Sequence, residues 1–381
     1  MNGLFAAEKI ERKNSDLILL VLMLLLAGIG IAALYSASYF YAERAFGNPR
    51  HFLDRHLVFL VIGLVLSVVS SRLSLDFWEK SVPLILGGTL FLMVLTFIPG
   101  IGREIMGARR WILLGGNSFQ PSELVKFAVV LYVARIMSKK EHRLDDFGNA
   151  VLPPLLLVGG FTALIYLQND FSTAAFVLLI ALIMFFVAGV RLIHFFLLFI
   201  TIFPILAMLL FTKEHRVRRL LAFLDPYGDP VGTGYQVLAS QTALSRGHLW
   251  GSGLGMGTKK LGGLPEAHSD FVFAVFGEET GFLGVLFVIA LFTAFAVRGY
   301  MTAFKIRDKN GFGFYLVFGL TSAIFYQALL NMAVVCGLVP ATGLPLPLFS
   351  NGGSSVLVTM MMFGIILGVS REAELDRSLR S

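Results

Sequence analysis

A single aspartate at the edge of an apolar run is the residue in this chain best placed for acid–base chemistry. Asp270 ends the run Leu264-Pro-Glu-Ala-His-Ser-Asp270, and an apolar wall opens at Phe271. A carboxylate at a water–hydrocarbon boundary loses hydration while still facing a polar reactant, which raises its basicity. Glu266 and His268 lie just before it, and Glu278 and Glu279 just after. On a continuous helix Glu278 would sit about 80° around from Asp270 and roughly 12 Å deeper. Glu279 would fall on the opposite side. Neither can share a proton with Asp270, so helix–helix bonding is the better reading of both. The plainer role for Asp270 is an N-cap for the next helix, worth about 1 kcal/mol, and the two roles are compatible.

Other charges stand where an anionic substrate could meet them. Glu123 and Lys126 follow Gln120-Pro121, a favourable helix start, and three positions place them on one face. Charges inside a membrane face a cavity or a partner, so the pair either locks two helices or lines a polar cavity. Arg109-Arg110-Trp111 precede that helix and suit either paired hydrogen bonds to phosphate or headgroup anchoring. Arg216, Arg218 and Arg219 read similarly. Ser350-Asn-Gly-Gly-Ser-Ser355 opens the last apolar run, where Ser354 and free helix N–H groups could face an anion or simply cap the helix. Asp170 tips a tight turn and suits a cap. Gly251, Gly253, Gly255 and Gly257 alternate before Lys259 and Lys260. They lack the strand–loop–helix setting of a nucleotide loop, and the spacing predicts a mobile loop with exposed backbone.

The elements that must position these residues are membrane helices. The chain is 56% hydrophobic and 14% charged, against about 25% charged in globular proteins, and its mean hydropathy is +0.79. Apolar runs predict ten helical spans, at 17–36, 53–71, 81–99, 119–137, 149–167, 171–190, 192–212, 271–297, 313–336 and 354–370. The expected fold is thus an all-α polytopic membrane protein, a single domain over 1–381. Ser36-Ala-Ser38 resembles a cleavage site, but the preceding run is longer than a signal-peptide core, so it is taken as a retained span. Lys and Arg in the short connections place tails 1–16 and 371–381 in the cytoplasm. The long connection 213–270, with Asp270, then lies on the outer face. Within it, 235–245 reads as an amphipathic surface helix.

Absences narrow the chemistry. The lone cysteine, Cys336, excludes an intrachain disulfide and argues against a Cys-based metal site. There is no His-Glu-x-x-His, no Asp-x-Asp and no Gly-x-Ser-x-Gly, so metalloprotease and serine-hydrolase readings have no support. A net charge of +7 suits anionic lipid and gives no nucleic-acid signal.

Ordered motifs along nearly the whole chain resemble the SEDS family of bacterial shape, elongation, division and sporulation proteins, with its FtsW, RodA and SpoVE branches. They are Tyr35-Ser-Ala-Ser38, Gly107-Ala-Arg-Arg-Trp-Ile112, Phe119-Gln-Pro-Ser-Glu-Leu-Val-Lys126, Arg216-Val-Arg-Arg219 and Asp229-Pro-Val-Gly-Thr-Gly-Tyr-Gln236. They continue through Leu264–Phe271, Gly277-Glu-Glu279, Pro340–Pro347 and Gly352–Ser355. Departures are confined to loops, such as Gln168-Asn-Asp170 where Gln-Pro-Asp is usual. The arginine run and Pro265-Glu-Ala-His268 lean towards the FtsW division branch over RodA.

The resemblance implies a ten-span peptidoglycan glycosyltransferase polymerising lipid II in the bacterial inner membrane. Its implied partners are a class B penicillin-binding protein and other division or elongation proteins. The family's essential acid falls on Asp270 and its polar cavity residues on Glu123 and Lys126. Asp270 would be general base, with Arg109, Arg110, Lys126, Arg216 and Lys259 among the cations available to a diphosphate, and Glu266, His268 and Ser354 beside the substrate. A divalent cation, Mg or Mn, could assist. The rival functions are a lipid II flippase, or a scaffold that activates the transpeptidase without catalysis.

Overall fold

The computed structural model describes residues 16–378, apart from 106, 115–116, 142–145 and 229–231. Most of the amino-terminal tail, the start of the Asp229 motif and the last three residues therefore lie outside the described residues.

Helices α1 (Leu17–Phe46), α2 (His51–Ser70) and α3 (Leu75–Leu95) lead into a small antiparallel sheet. Helices α4 (Pro121–Lys140), α5 (Leu152–Leu167), α6 (Phe171–Ala188) and α7 (Leu192–Phe211) follow, with a π-helical turn at Phe147–Val151 before α5. The long connection carries α8 (Glu214–Leu224) and α9 (Thr233–Arg246), and the chain closes with α10 (Val272–Ile306), α11 (Gly311–Val335) and α12 (Gly353–Ser378). Nine of the described helices, all but α4, α8 and α9, are long and apolar enough to cross a membrane. The fourth expected span, α4, is more polar because it is the central helix. It packs on α3, α6, α11 and α12, and its Glu123 and Lys126 are buried along with its apolar residues. At the other extreme, α7 buries little beyond His194 and Leu198 and turns most of its phenylalanines outward.

Close helix contacts rest on missing side chains. A Cβ on Gly364 of α12 would stand 2.2 Å from the Ser67 carbonyl oxygen of α2, so only glycine admits this approach. Element ends follow local chemistry where the apolar runs misled. α1 runs ten residues past the expected end and stops at Gly47, in the left-handed conformation. α3 starts six residues early because Ser74 Oγ accepts the Phe77 N–H, and Pro83 is tolerated inside.

The sheet was not foreseen. Strands β1 (Gly102–Ile105), β2 (Ala108–Leu114) and β3 (Asn117–Phe119) form an antiparallel meander at the same end of the bundle as Asp270. Its strands are short and arginine-rich, and its backbone pairing leaves no apolar alternation to read.

The alternating glycines are likewise not a free, exposed loop. Gly281 breaks α10 with φ 69° and ψ −169°, a conformation essentially restricted to glycine. The break frees backbone groups that the segment 248–253 satisfies. Phe282 and Leu283 N–H donate to the His248 and Leu249 carbonyls at 2.9 and 3.3 Å, while Ser252 and Gly253 N–H donate to the Glu278 and Glu279 carbonyls, both at 3.0 Å. Helix α9 also differs from the expected surface helix. It docks on α10 and α11, with Ser240 Oγ donating to the Val335 carbonyl.

Candidate active site

Asp270 lies in a cleft of about 1220 Å³ walled by the sheet, α6, α8, the turn 264–271, the loop 339–345 and the start of α12. It belongs to a run of turns ending at Phe271, the residue that precedes α10. Phe271 provides no side-chain cap and no carboxylate bonds the helix N-terminus, so the N-cap role expected of Asp270 does not occur. Its backbone is pinned instead: Asn331 Nδ2 donates to the Asp270 carbonyl at 3.0 Å and to the Leu344 carbonyl at 2.8 Å. That leaves the carboxylate free apart from a 3.1 Å bond from Ser269 Oγ.

The surroundings push this acid towards basicity. Desolvation in the cleft wall is the largest effect and raises its pKa, although the residue stays partly accessible from the cleft. Glu266, whose own pKa is raised by burial, adds like-charge repulsion. The Ser269 hydrogen bond and the Arg110 and Arg219 guanidinium groups oppose the rise by favouring the carboxylate.

The cations separate into those in the cleft and those outside it. Neighbouring strand residues face opposite ways, which divides the two arginines of β2. Arg110 lines the cleft, pairs with Asp170 at 3.1 Å and lies 4.4 Å over the Trp111 ring. Arg109 turns away to Glu104, at 2.8 Å and mostly exposed. Arg216 is buried, donates to the Leu209 carbonyl and stacks on Tyr166 and Phe171 at 4.6 and 5.3 Å. Lys213, His215 and Arg219 from the same helical segment also line the cleft, as does Arg55 of α2. Burial and these cationic neighbours hold the His215 pKa down. Sequence reasoning passed over Arg55, yet an arginine in the first turn of a span was a usable signal.

Beneath the cleft, Glu123 and Lys126 form a buried ion pair at 2.7 Å. Lys126 Nζ donates to Gln327 Oε1 at 2.6 Å, and Gln327 Nε2 donates to the Pro345 carbonyl at 2.8 Å. Glu123 lines the cleft and Lys126 does not, so the lysine reaches a substrate only through its partners. Ser354 lines the cleft but accepts the Gln120 N–H at 2.9 Å, tying α12 to the start of α4. Asp170 caps α6 as expected, accepting the Thr173 N–H, and also holds Arg110 and Gln120.

Two further expected substrate contacts are placed elsewhere. His268 is stacked on Tyr41 at 4.5 Å and tilted against Phe52 at 4.7 Å, so apolar burial, which also lowers its pKa, turns its ring away from the cleft. Lys259 is held by its own N–H, which donates to Glu278 at 3.1 Å. Glu278 also takes the Thr258 N–H and hydroxyl. Glu279 takes Ser36 Oγ and Lys260 Nζ, both at 2.6 Å. Both glutamates are thus structural anchors of the loop, and only Glu279, through Ser36 of α1, makes the helix–helix bond expected of them.

Known proteins place this architecture. The family model described as "Cell cycle protein", of the FtsW, RodA and SpoVE group, matches residues 16–375. The probable peptidoglycan glycosyltransferase FtsW of Borreliella burgdorferi is 42% identical over 352 residues, covering 92% of this chain and 95% of its own. The like-named protein of Geobacter sulfurreducens is 39% identical over 371 residues, covering 97% and 98%. The crystal structure of the rod shape determining protein RodA of Thermus thermophilus superimposes with a TM-score of 0.70 at 28% identity, covering 94% and 97%. A chain from a peptidoglycan synthase complex that coordinates polymerization and crosslinking gives 0.76 at 29% identity, covering 94% and 98%. With the family match running almost end to end, the chain belongs to the FtsW/RodA/SpoVE family of cell cycle proteins.

Proposed function

We propose that this protein is a peptidoglycan glycosyltransferase that polymerises lipid II, with Asp270 as the general base. The observation that carries the reading is a desolvated carboxylate, free of any capping role, facing a cleft edged by Arg110 and Arg219. Relatives about 40% identical over nearly the whole chain are named as probable peptidoglycan glycosyltransferases FtsW, which supports a role in septal synthesis.

Asp270 takes the proton of the acceptor GlcNAc 4-hydroxyl as that oxygen attacks the anomeric carbon of the donor MurNAc. The bond from that carbon to the diphosphate oxygen breaks. Undecaprenyl diphosphate leaves, and the new β-1,4 linkage inverts the donor configuration. Negative charge grows on the leaving diphosphate, and fixed donors aimed at it stabilise the transition state. Arg110 and Arg219 act electrostatically on the base, and Arg216 and Lys213 line the same cleft. A divalent ion finds no convergent set of three His, Cys, Asp or Glu side chains among the described residues. Asp170 and Glu123 are committed to ion pairs, so no step is assigned to a metal.

The Lys and Arg bias of the short connections supports cytoplasmic termini and a cleft that opens outward, the side where lipid-linked precursors would be consumed. The partner is a class B penicillin-binding protein, a pairing supported by the likeness to a chain of a peptidoglycan synthase complex. Asp270→Ala in the purified complex should lose polymerisation about 10²–10⁴-fold while keeping its melting temperature. Full polymerisation by that variant would exclude Asp270 as the base, and movement of labelled lipid II across vesicles with no polymer formed would favour a transporter.

A further inference from the structure

The glycine loop carries an apolar surface that the reaction does not use. Trp250, Leu254 and Met256 are 78%, 72% and 71% exposed. A water-facing loop normally turns polar groups outward, whereas this one turns them in. Ser252 Oγ and N–H both bond the Glu278 carbonyl, and Gly253 N–H bonds the Glu279 carbonyl. Gly253 and Gly255, with φ 101° and 80°, allow the backbone to fold back so that Leu254 between them projects.

The position of the loop says what covers it. Its Leu249 carbonyl accepts the Leu283 N–H of α10, just past the break at Gly281. From that point α10 shows Phe282, Leu283, Leu286 and Phe287 on its outer surface, the lipid-facing stripe of a span. Arg298 of α10 pairs with Asp16 at the start of α1, so the far boundary lies between Arg298 and Ile306. From Phe282 these are 16 and 24 residues along the helix, roughly 24 and 36 Å of rise, which bracket about 30 Å of hydrocarbon. The break therefore falls at the boundary of the bilayer on the cleft side. Arg246 and Lys259 flank the loop, where headgroup phosphates lie, and tryptophan is enriched at that depth.

We infer that the Leu249–Met256 loop is an interfacial anchor, seated among the headgroups and upper acyl chains of the leaflet on the cleft side. It is hydrogen-bonded to the break in α10, so this seating fixes the height of the Val272–Thr280 half-helix and of Asp270 at its start. The inference rests on the membrane spans and not on the assigned reaction.

The test uses the full chain alone in nanodiscs of phospholipid brominated either near the glycerol end or near the methyl end of the acyl chain. Wild type is compared with Trp250→Phe, which isolates one emitter among three tryptophans. Wild type should lose an emission component that Trp250→Phe lacks, more strongly with bromine near the glycerol end. Equal quenching of the two proteins would overturn the anchor. So would a Trp250 component that stays water-like in lipid and shifts to the blue only when a partner protein is added, which would assign the patch to that protein. Stronger quenching from the methyl end would remove the interfacial placement.

Discussion

Asp270 acts through what its neighbours do to its proton. A general base must be ionised, so turnover rises with pH through its pKa, and burial places that rise above the usual carboxylate range. Arg110→Gln removes a cation that favours the carboxylate and should move the acid limb of kcat/KM to higher pH. Glu266→Gln removes a like charge and should move it to lower pH. Opposite displacements, read from initial rates of lipid II polymerisation across the acid range, are the signature of a base at 270. Parallel displacements would put the base elsewhere. The acid itself was legible in the sequence, because a charge beside an apolar wall is costly and therefore conspicuous. Its neighbours were less so. Arg110 and Arg109 are equivalent in a string of letters, and only strand pairing sends one into the cleft and the other to Glu104. Lys126 read as a substrate contact because its charge implied a cavity, whereas its requirement is met by Glu123 and Gln327.

Helices were legible because lipid imposes a length and an apolar surface on them. The sheet and the docked loop were not, since both are held largely by backbone hydrogen bonds, which leave no apolar periodicity in the sequence. Glycine spacing was the trace of the loop, and it reads equally well as flexibility or as tight packing. The packing makes firm predictions. Gly281→Ala forces a Cβ to 2.3 Å from the Gly251 nitrogen in a backbone region closed to alanine. It should lose about 1–3 kcal/mol from backbone strain alone, with more from the clash. Gly255→Ala meets open space and should cost less in the same thermal unfolding measurement. Lys260→Met leaves Glu279 buried without its cation and should destabilise by about 3–5 kcal/mol. Adding Glu279→Leu should restore most of that loss, and failure to restore it would mean the pair is not the source.

At the scale of the whole molecule, the proposed topology counts the nine apolar helices and α4 as spans, which would return the chain to the side from which it started. Introducing Asn48→Cys into a Cys336→Ser background should give labelling by an impermeant maleimide from outside intact cells, whereas Asp76→Cys should not. The reverse pattern would invert the bundle and put the cleft on the wrong side for the proposed reaction. The bundle also holds its most polar long helix, α4, at its centre and leaves α7 nearly unburied. One consequence concerns time rather than place. The amide hydrogens of Phe282 and Leu283 are shielded by carbonyls from His248 and Leu249 instead of by their own helix, so they can exchange with solvent deuterium only when the loop lifts. Those two amides form a built-in clock for the loop, and a partner or bilayer that steadies it will slow them together.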